Sequence, residues 1–360
     1  MNRNKFLILI ILILVLVLTA LYIFDNKSGT FKSGEKDFAV NDTASITKVF
    51  LADKKNRTIL LERQPDGSWR LNTVYKARQS AINTLFETMK NITPKYPVPE
   101  KAHNTIVAQL AAQSVKVEVY QNAYRINLFR RIRLFPHEKL TRTYYVGGAT
   151  ADNMGTFMLM EGAEVIFVTH MLGLRGFVTP RYSTLEKDWR DHTIFNTKLF
   201  HIQSITMEIP GDAQNSYRVV SENDQFSIYR LEDNTHVPGY DTLRLLNFLT
   251  GFSDIRYEAL LDDIIDPMRK DSVINSAPKS IITVVDVNND TTAVKIYHKP
   301  NDEGAFDLEG NPYNYDIERL YASINEGRDF VLIQYYTFDK ILRPLSFFIH
   351  NRRMAEWLYE

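Results

Sequence analysis

The sequence predicts an α+β protein in which an N-terminal transmembrane helix precedes two similar α+β domains, each made of antiparallel sheet and short helices. Three observations predict this fold. An uncharged apolar segment stands close to the N-terminus, strand-like alternation separated by turn residues fills most of the remaining chain, and the order of these patterns recurs about 160 residues later. At 360 residues, the chain has the length of about two ordinary domains.

The composition excludes several classes of function. Lys and Arg together number 43, as do Asp and Glu, so the chain has no net positive charge with which to bind nucleic acid. The absence of cysteine excludes disulfide scaffolds, thiolate zinc sites, iron–sulfur clusters and cysteine nucleophiles. We expect no cofactor. Hydrophobic residues, 44% of the chain, are sufficient for sizeable cores.

The apolar segment from Phe6 to Phe24 predicts a transmembrane anchor. It contains 19 residues without a charge, and a helix of that length spans roughly 28 Å, close to the hydrocarbon thickness of a bilayer. Bulky residues follow where a signal peptidase requires small ones, so we expect the segment to be retained in the membrane. Residues 1–5 are a basic N-terminal tail, and residues 25–37 are a polar tether.

The charges beside the apolar segment predict its orientation. Arg3 and Lys5 precede it in a short tail typical of a signal-anchor, although Lys27, Lys32 and Lys36 follow it. We therefore expect a single-pass membrane protein of the cell envelope whose body lies outside the cytoplasm.

The body begins with a β-meander and continues with two helices and further strands. The turn of the meander is Gln64-Pro-Asp-Gly, and Pro94 ends the first helix. The predicted elements of the first half are strands at residues 45–51, 58–63 and 68–71, helices at 78–92 and 101–113, and strands at 114–120, 141–146, 156–160 and 164–169.

The same order of elements recurs in the second half. Residues 240–252 predict a helix at the place of the first helix of the first half. We infer an internal duplication, with a first domain over residues 38–195 and a second over residues 196–360. Four short anchors support it: Ser45-Ile-Thr with Ser204-Ile-Thr, Trp69-Arg-Leu with Tyr229-Arg-Leu, Ser114-Val with Ser280-Ile, and Glu164-Val-Ile with Asp329-Phe-Val.

Several segments together resemble a known bacterial family. These are DTASITKVFLADK, ILLERQPDGSWRLN, VKVEVYQ, TYYVGGATADNMGTFML and FVTPRYSTLEKDWRDHTIF, in that order along the chain. They are similar to family 4340 of domains of unknown function, over most of residues 40 to 350. The resemblance implies a membrane-anchored envelope protein, which in some members is joined to transporter-associated modules. It implies no activity and no catalytic residues.

A glycine-rich segment between two predicted strands is a candidate ligand contact. Gly147 and Gly148 follow one strand, and Asn153 and Gly155 precede the next. Exposed backbone N–H groups could bind an anion there, but no Lys-Ser or Lys-Thr pair follows, and the next element is a strand. The pattern favours a hairpin whose φ angles require the glycines.

Residues 183–192 contain the residue types of a hydrolase. Ser183, Asp191 and His192 have the composition of a Ser-His-Asp triad, but no Gly-x-Ser-x-Gly segment accompanies them. The structural alternative is favoured, in which Trp189 is a packed anchor and Arg190 pairs with a carboxylate. The eight histidines of the chain lack the spacing of a metal site.

An arginine-rich insert in the first half has no counterpart in the second. Residues 128–135 read LFRRIRLF and place Arg130, Arg131 and Arg133 among apolar residues. The insert could lie on anionic lipid headgroups or dock a partner protein. Alternatively, it extends a strand whose arginines are solvated.

The sequence therefore favours a non-enzymatic, membrane-anchored protein that binds or scaffolds an envelope protein partner, such as a transport or assembly complex. Enzymatic activity stays open. One alternative is an envelope hydrolase with a site near Ser183, Asp191 and His192, or at the Gly147-Gly148 loop. Another is a binder of a small ligand or glycan in a cleft between the domains.

Overall fold

The structure is a computed structural model, which describes residues 11–19, 34–128, 132–222, 225–262, 264–302 and 304–349. Residues 11–19, the described part of the predicted anchor, are helical and exposed. The rest of the predicted anchor, the N-terminal tail and most of the tether lie outside the described residues. Among the described residues, no helix combines the length and the apolar character that crossing a membrane requires.

The first of two compact units ends at Asp191 and is built on one antiparallel sheet. The first strand lies inside this sheet, between its hairpin partner and a distant strand. The elements are β1 (Ile46–Ala52), β2 (Thr58–Arg63), β3 (Trp69–Leu71), β4 (Tyr75–Lys76), α1 (Gln79–Asn91), β5 (Ile92–Pro97), α2 (Glu100–Gln113), β6 (Val115–Leu128), β7 (Ile132–Ala149), β8 (Thr156–Met160) and β9 (Phe167–Met171). The nine strands lie in the order β4-β3-β2-β1-β6-β7-β8-β9-β5.

The second unit begins at His192. Its elements are β10 (Thr193–Phe195), β11 (Ile202–Glu208), β12 (Tyr217–Glu222), β13 (Gln225–Arg230), α3 (Thr242–Thr250), β14 (Ile255–Arg256), β15 (Ala259–Leu260), α4 (Pro267–Ile274), β16 (Ser280–Asp286), β17 (Thr291–Pro300), β18 (Tyr315–Ile324), β19 (Asp329–Gln334), α5 (Tyr335–Phe338) and α6 (Ser346–Ile349). Eight strands form a sheet in the order β13-β12-β11-β16-β17-β18-β19-β15, and β10 pairs with β14 separately. The predicted domain boundary at residue 195 is the last residue of β10.

The two large sheets share one strand order. Without the short edge strand β4, the first sheet has the same succession of strands as the second, from the meander on one side to the strand between the two helices on the other. The helices α1 and α3 stand at corresponding places in the chain, as do α2 and α4. The predicted α+β class, with antiparallel sheets and short helices, is therefore confirmed.

The hydrogen-bond register corrects the predicted alignment of the halves. β1 and β11 both have a register shift near their start, against β6 and β16 respectively. Beyond it, Val49 faces Val119 and Ile205 faces Val284, and all four side chains are buried. Ile205 is thus the equivalent of Val49 and not of Ile46. The Ser-Ile-Thr tripeptides of the two halves are therefore offset by three residues in the aligned strands. The register of a strand is fixed by which of its side chains are buried, and not by identical residues.

Each large sheet packs apolar side chains on both of its faces. In the first unit, Leu85 of α1 belongs to the main core, whereas Leu110 of α2 belongs to a second cluster. Phe167 and Val168, which are successive residues of β9, point into these two clusters in turn, as the alternation of a strand requires. A helix therefore covers each face of this sheet.

A cluster of aromatic rings lies in the main core of the second unit. Phe248 of α3 lies within 6.1 Å, between ring centroids, of Tyr217, Phe252 and Phe348, and its side chain is 2% exposed. Leu243 on the same helix faces solvent with 68% exposure. The helix is thus amphipathic, and its aromatic face joins the helix to β12 and to the last described helix, α6.

We expect Phe248→Ala to lower the free energy of unfolding by about 3–5 kcal/mol, because it leaves a cavity among three aromatic rings. Leu243→Ala is the matched control on the same helix and should change it by less than about 0.5 kcal/mol. Urea unfolding followed by far-ultraviolet circular dichroism measures both. Equal losses in the two variants would contradict the assigned core face of α3.

Candidate functional site

The glycine-rich segment forms a tight hairpin between β7 and β8. Ala149 pairs with Thr156, the Thr150 N–H donates to the Gly155 carbonyl at 3.0 Å, and the Asn153 N–H donates to the Thr150 carbonyl at 2.8 Å. The Asp152 carboxylate accepts bonds from the Thr150 hydroxyl and the Met154 N–H. These hydrogen bonds close the turn on itself, so the backbone groups that they use are not available to an anion.

Close packing explains Gly147 and Gly155, which corrects the expectation that the φ angles of this hairpin require its glycines. Among the four candidate residues, the positive φ, 54°, belongs to Asn153. A Cβ on Gly147 would lie 2.4 Å from Leu110 Cδ2 and 3.1 Å from the Phe157 carbonyl oxygen, whereas one on Gly148 would have no neighbour within 4 Å. The pairing shifts by one residue between Val146 and Ala149, so the two glycines form a β-bulge.

Gly155 has a similar packing role. A Cβ there would lie 2.6 Å from Val168 Cγ1, on the neighbouring strand β9. Helix α2 and strand β9 thus approach this hairpin more closely than any larger residue would permit. The structure accounts for Gly147 and Gly155 by packing, and it places Gly148 in open space.

Trp189 and Arg190 attach the end of the first unit to its first meander. Trp189 is 3% exposed, and its indole N–H donates to the Ser183 carbonyl at 2.8 Å. The Arg190 guanidinium lies 3.8 Å from the centroid of the Tyr75 ring and 3.8 Å from the Glu186 carboxylate. Trp189 is therefore a buried anchor, and Arg190 joins the end of the unit to the Tyr75 ring. These are the packing roles that the structural alternative assigned to them.

Each residue of the hydrolase hypothesis has a defined neighbour. The Ser183 hydroxyl donates to the Asp188 carboxylate, and Asp191 forms an ion pair with Lys76 at 3.5 Å. The His192 ring stacks on Tyr257, with ring centroids 4.5 Å apart. The Ser183 proton therefore bonds a carboxylate five residues along the chain and not the imidazole that a triad requires.

Strongly raised pKa values occur at three tyrosines, and each has a structural cause. Burial raises the pKa of Tyr182 to about 12 and raises the pKa values of Tyr144 and Tyr217 well above the ordinary value. Tyr144 and Tyr182 bond each other at 3.3 Å, and Tyr217 donates to the Arg343 carbonyl at 3.0 Å. These hydroxyls are satisfied inside the cores and are not acid–base groups at neutral pH.

Asp53 joins the two ends of the first unit. Its carboxylate accepts from the Thr184 hydroxyl at 2.8 Å, and it forms an ion pair with Arg57 at 2.7 Å. Burial raises the pKa of Asp53, but the hydrogen bonds from Thr184, Arg57 and Lys55 outweigh burial and lower the pKa to about 2. The carboxylate is therefore ionised throughout the neutral range and stabilises the fold-back of the 183–191 segment.

Strands β6 and β7 continue past the sheet as a two-stranded arm. β1 stops pairing with β6 at Gln121, and β8 begins to pair with β7 at Tyr144, but β6 and β7 pair with each other beyond both points. We call residues 122–128 and 132–139 the arm. Among the described residues, neither edge of the arm has a neighbouring strand, and such ribbons are marginally stable alone in water.

The arm exposes apolar and basic side chains. Leu134 is 47% exposed and Phe135 is 62% exposed, and Arg125 and Lys139 are also exposed. Arg133 pairs with Asn127 across the two strands. Arg130 and Arg131 lie outside the described residues. The insert is therefore an extension of two strands, and its described surface combines positive charge with apolar area.

The one acidic residue of the arm is neutralised at its base. The Glu138 carboxylate accepts from the Thr47 hydroxyl at 2.8 Å and forms an ion pair with Lys48. The hydrogen bond with Glu138 raises the pKa of Lys48. The outer part of the arm therefore presents net positive charge.

A second elaborated hairpin, which the sequence analysis missed, lies in the second unit. We call residues 304–318, between β17 and β18 and at the start of β18, the acidic loop. It contains four acidic residues and no Lys or Arg, and it exposes Phe306 (63%) and Leu308 completely. The Asp307 N–H donates to the Asn311 carbonyl at 2.9 Å, and the Tyr313 N–H donates to the Ala305 carbonyl at 3.0 Å. These bonds give the loop a defined small hairpin.

No group of three or more His, Asp or Glu side chains that could hold a metal ion occurs in the described part of the chain. The arm and the acidic loop are candidate functional surfaces. Both consist of exposed apolar and charged side chains, which suit binding of a macromolecule.

A family model described as "Domain of unknown function (DUF4340)" matches residues 69–272, more than half of the chain. No curated protein matches the chain, and no solved structure matches it.

Gly147→Ala is expected to lower the free energy of unfolding by about 1–3 kcal/mol, because the new methyl group overlaps Leu110 and the Phe157 carbonyl. Gly148→Ala is the matched control and should change it by less than about 0.5 kcal/mol. Urea unfolding followed by tryptophan fluorescence, with Trp357→Phe in every variant so that Trp69 and Trp189 give the signal, reports on this unit. Adding Leu110→Ala should make the Gly147→Ala substitution less costly, and equal effects of the two glycine substitutions would refute the packing role.

The stability of the first unit is expected to depend on Asp53 in acid. Because its folded pKa lies below that of an unfolded aspartate, its contribution is complete above about pH 4 and is lost as the pH falls toward 2. Asp53→Asn should remove on the order of 1 kcal/mol at pH 7 and flatten the loss of stability between pH 4 and 2. Tryptophan-monitored urea unfolding at several pH values measures this, and parallel pH curves for the two proteins would contradict it.

Proposed function

The chain belongs to the family described as Domain of unknown function (DUF4340), and from this premise we propose that it is a membrane-anchored envelope protein that binds or scaffolds a partner without catalysing a reaction. In this proposal the segment from Phe6 to Phe24 holds the protein in the membrane, and the body lies outside the cytoplasm. The uncharged, bilayer-length sequence of that segment supports the anchor, and the basic residues Arg3 and Lys5 before it support the orientation.

The arm carries the binding part of the proposal. In the described part of the chain, no strand pairs with either edge of the arm, and Phe135 is exposed, a combination that favours contact with a partner. Its exposed Arg125 and Lys139 add a requirement for negative charge in the partner. A partner that pairs with an edge of the arm and covers its apolar side chains would satisfy both properties.

The arrangement of the remaining candidate residues supports a non-enzymatic role. Trp189 and Arg190 are used in packing, the Ser183 hydroxyl bonds Asp188, and the glycine hairpin closes on itself. The shared strand order of the two units supports an origin by internal duplication. Duplicated scaffolds commonly differ in their surface loops, where binding sites are found.

Site-specific crosslinking in native membranes tests the proposal. A photoreactive phenylalanine analogue in place of Phe135 should capture a discrete protein, because this side chain is at the surface of the arm. The same analogue in place of Val74, which is 71% exposed in the same unit but outside the arm, is the matched control and should not capture that protein.

Charge reversal on the arm provides a second test of the proposal. Arg125→Glu with Lys139→Glu should reduce the yield of the Phe135 crosslink at least about tenfold, because both cations face solvent on the arm. The same products from positions 135 and 74, or a crosslink that is unaffected by the charge reversal, would refute the arm as the binding element.

A further inference from the structure

The two units are elaborated at different hairpins. In the first unit, β6 and β7 extend into the arm, whereas their equivalents β16 and β17 are joined by residues 287–290, a turn closed by a bond from the Asp286 N–H to the Asp290 carbonyl. In the second unit, β17 and β18 are joined by residues 301–314, whereas their equivalents β7 and β8 have the tight turn at residues 150–155. The first unit therefore has the arm, and the second unit has the acidic loop, at hairpins that are short in the other unit.

These two added surfaces have opposite charge. The arm presents Arg125 and Lys139, and its Glu138 is neutralised by Lys48. The acidic loop presents Asp307 and Glu309, whereas its Asp316 pairs with Lys299 at 2.8 Å and its exposed Glu318 lies 3.7 Å from Arg319. Hydrogen bonds from Asn311 lower the pKa of Asp307, so this carboxylate is ionised at neutral pH.

The two surfaces also have matching apolar character. Leu134 and Phe135 protrude from the arm, and Phe306 and Leu308 protrude from the acidic loop. Contact between the surfaces would remove all four side chains from water and would pair charges of opposite sign. An anionic lipid surface, in contrast, would attract the arm and repel the acidic loop.

We propose that the arm of one copy of this chain docks on the acidic loop of a second copy, in a head-to-tail contact. This inference rests on the proposed function, in which the arm is a binding element, and it names the partner. The chain as a whole has equal numbers of acidic and basic residues, so long-range repulsion between copies does not oppose the contact.

A head-to-tail contact has consequences for assembly. It uses different surfaces on the two copies, so every dimer retains one unoccupied arm and one unoccupied acidic loop and can add further copies. The surfaces are small, and we expect a dissociation constant of about 10–100 µM in solution, the range of small transient contacts. Attachment to a membrane raises the effective concentration and favours the same contact.

Charge reversal of each surface tests this proposal on the full chain in a non-ionic detergent, with sedimentation velocity as the readout. The arm variant is Arg125→Glu with Lys139→Glu, and the loop variant is Glu309→Lys with Glu318→Lys. Each should weaken self-association at least about tenfold. The matched control for the arm variant is Arg70→Glu with Lys90→Glu, which makes the same change in net charge on exposed residues outside the arm and should leave self-association unchanged.

Mixing experiments separate a head-to-tail contact from other arrangements. An equimolar mixture of the arm and loop variants should associate more strongly than either variant alone, because an intact arm meets an intact loop and a reversed arm meets a reversed loop. The chain with all four substitutions should self-associate again, since both charges are reversed, and this restoration also shows that the variants are folded.

Several outcomes would overturn the proposal. These are a chain that stays monomeric up to about 1 mM, self-association that survives both charge reversals, and a mixture without dimers, which would indicate docking within one chain. Binding to vesicles with anionic lipid that is lost in the arm variant, without self-association, would assign the arm to a membrane surface. A Phe135 crosslink to a different protein would overturn the head-to-tail contact but leave the proposed function intact.

Discussion

Both units depend on the pairing of their first strand with the strand that follows the second helix. β1 pairs with β6, and β11 pairs with β16, across about 70–80 residues of chain in each case. This pairing closes a long loop, at an entropic cost that local hairpins do not have. The buried pair of Val49 and Val119, and its equivalent of Ile205 and Val284, stabilise it. With the two strands in place, the meander adds on one side and the later hairpins add on the other.

The same pairing determines how the functional surfaces are presented. Because β6 is fixed in the sheet as far as Gln121, its continuation leaves the sheet in a direction set by the strand and not by the flexibility of a loop. The acidic loop is fixed in a similar way, since Asn301 donates to the carbonyls of Ala305 and Tyr313 at 2.8 and 3.0 Å. One scaffold used twice therefore supports two different additions, and we assign function to the additions and not to the scaffold.

Much of the fold could be predicted from the sequence, and the failures have physical causes. The meander, both helices of the first unit and strand β8 were predicted within one or two residues, because their buried faces alternate with the proper period. The strand predicted at residues 114–120 continues to Leu128. The prediction stopped short of the alternation of Tyr124, Ile126 and Leu128 with polar residues, which is the pattern of a strand. The repeat was recognised from the order of its elements, whereas the exact register required the bulges in β1 and β11.

The candidate sites also divide into features that the sequence predicts and features that it does not. The packed role of Trp189 follows from its size, but sequence could not distinguish the steric requirement at Gly147 from a conformational one, because the close neighbour Leu110 comes from a different element. The acidic loop was missed because neither period nor motif marks it. Comparing the lengths of equivalent hairpins in the two halves would have found it.

Hydrogen–deuterium exchange of the full chain tests most directly the central claim that the arm is a binding element. At low protein concentration, amides of residues 122–128 and 132–139 should exchange much faster than those of β1 and of β6 up to Gln121, because none of the described strands flanks the arm. At high concentration, protection should rise in the arm and in the acidic loop and not elsewhere in the units. An arm that is equally unprotected at all concentrations and in native membranes would contradict the account.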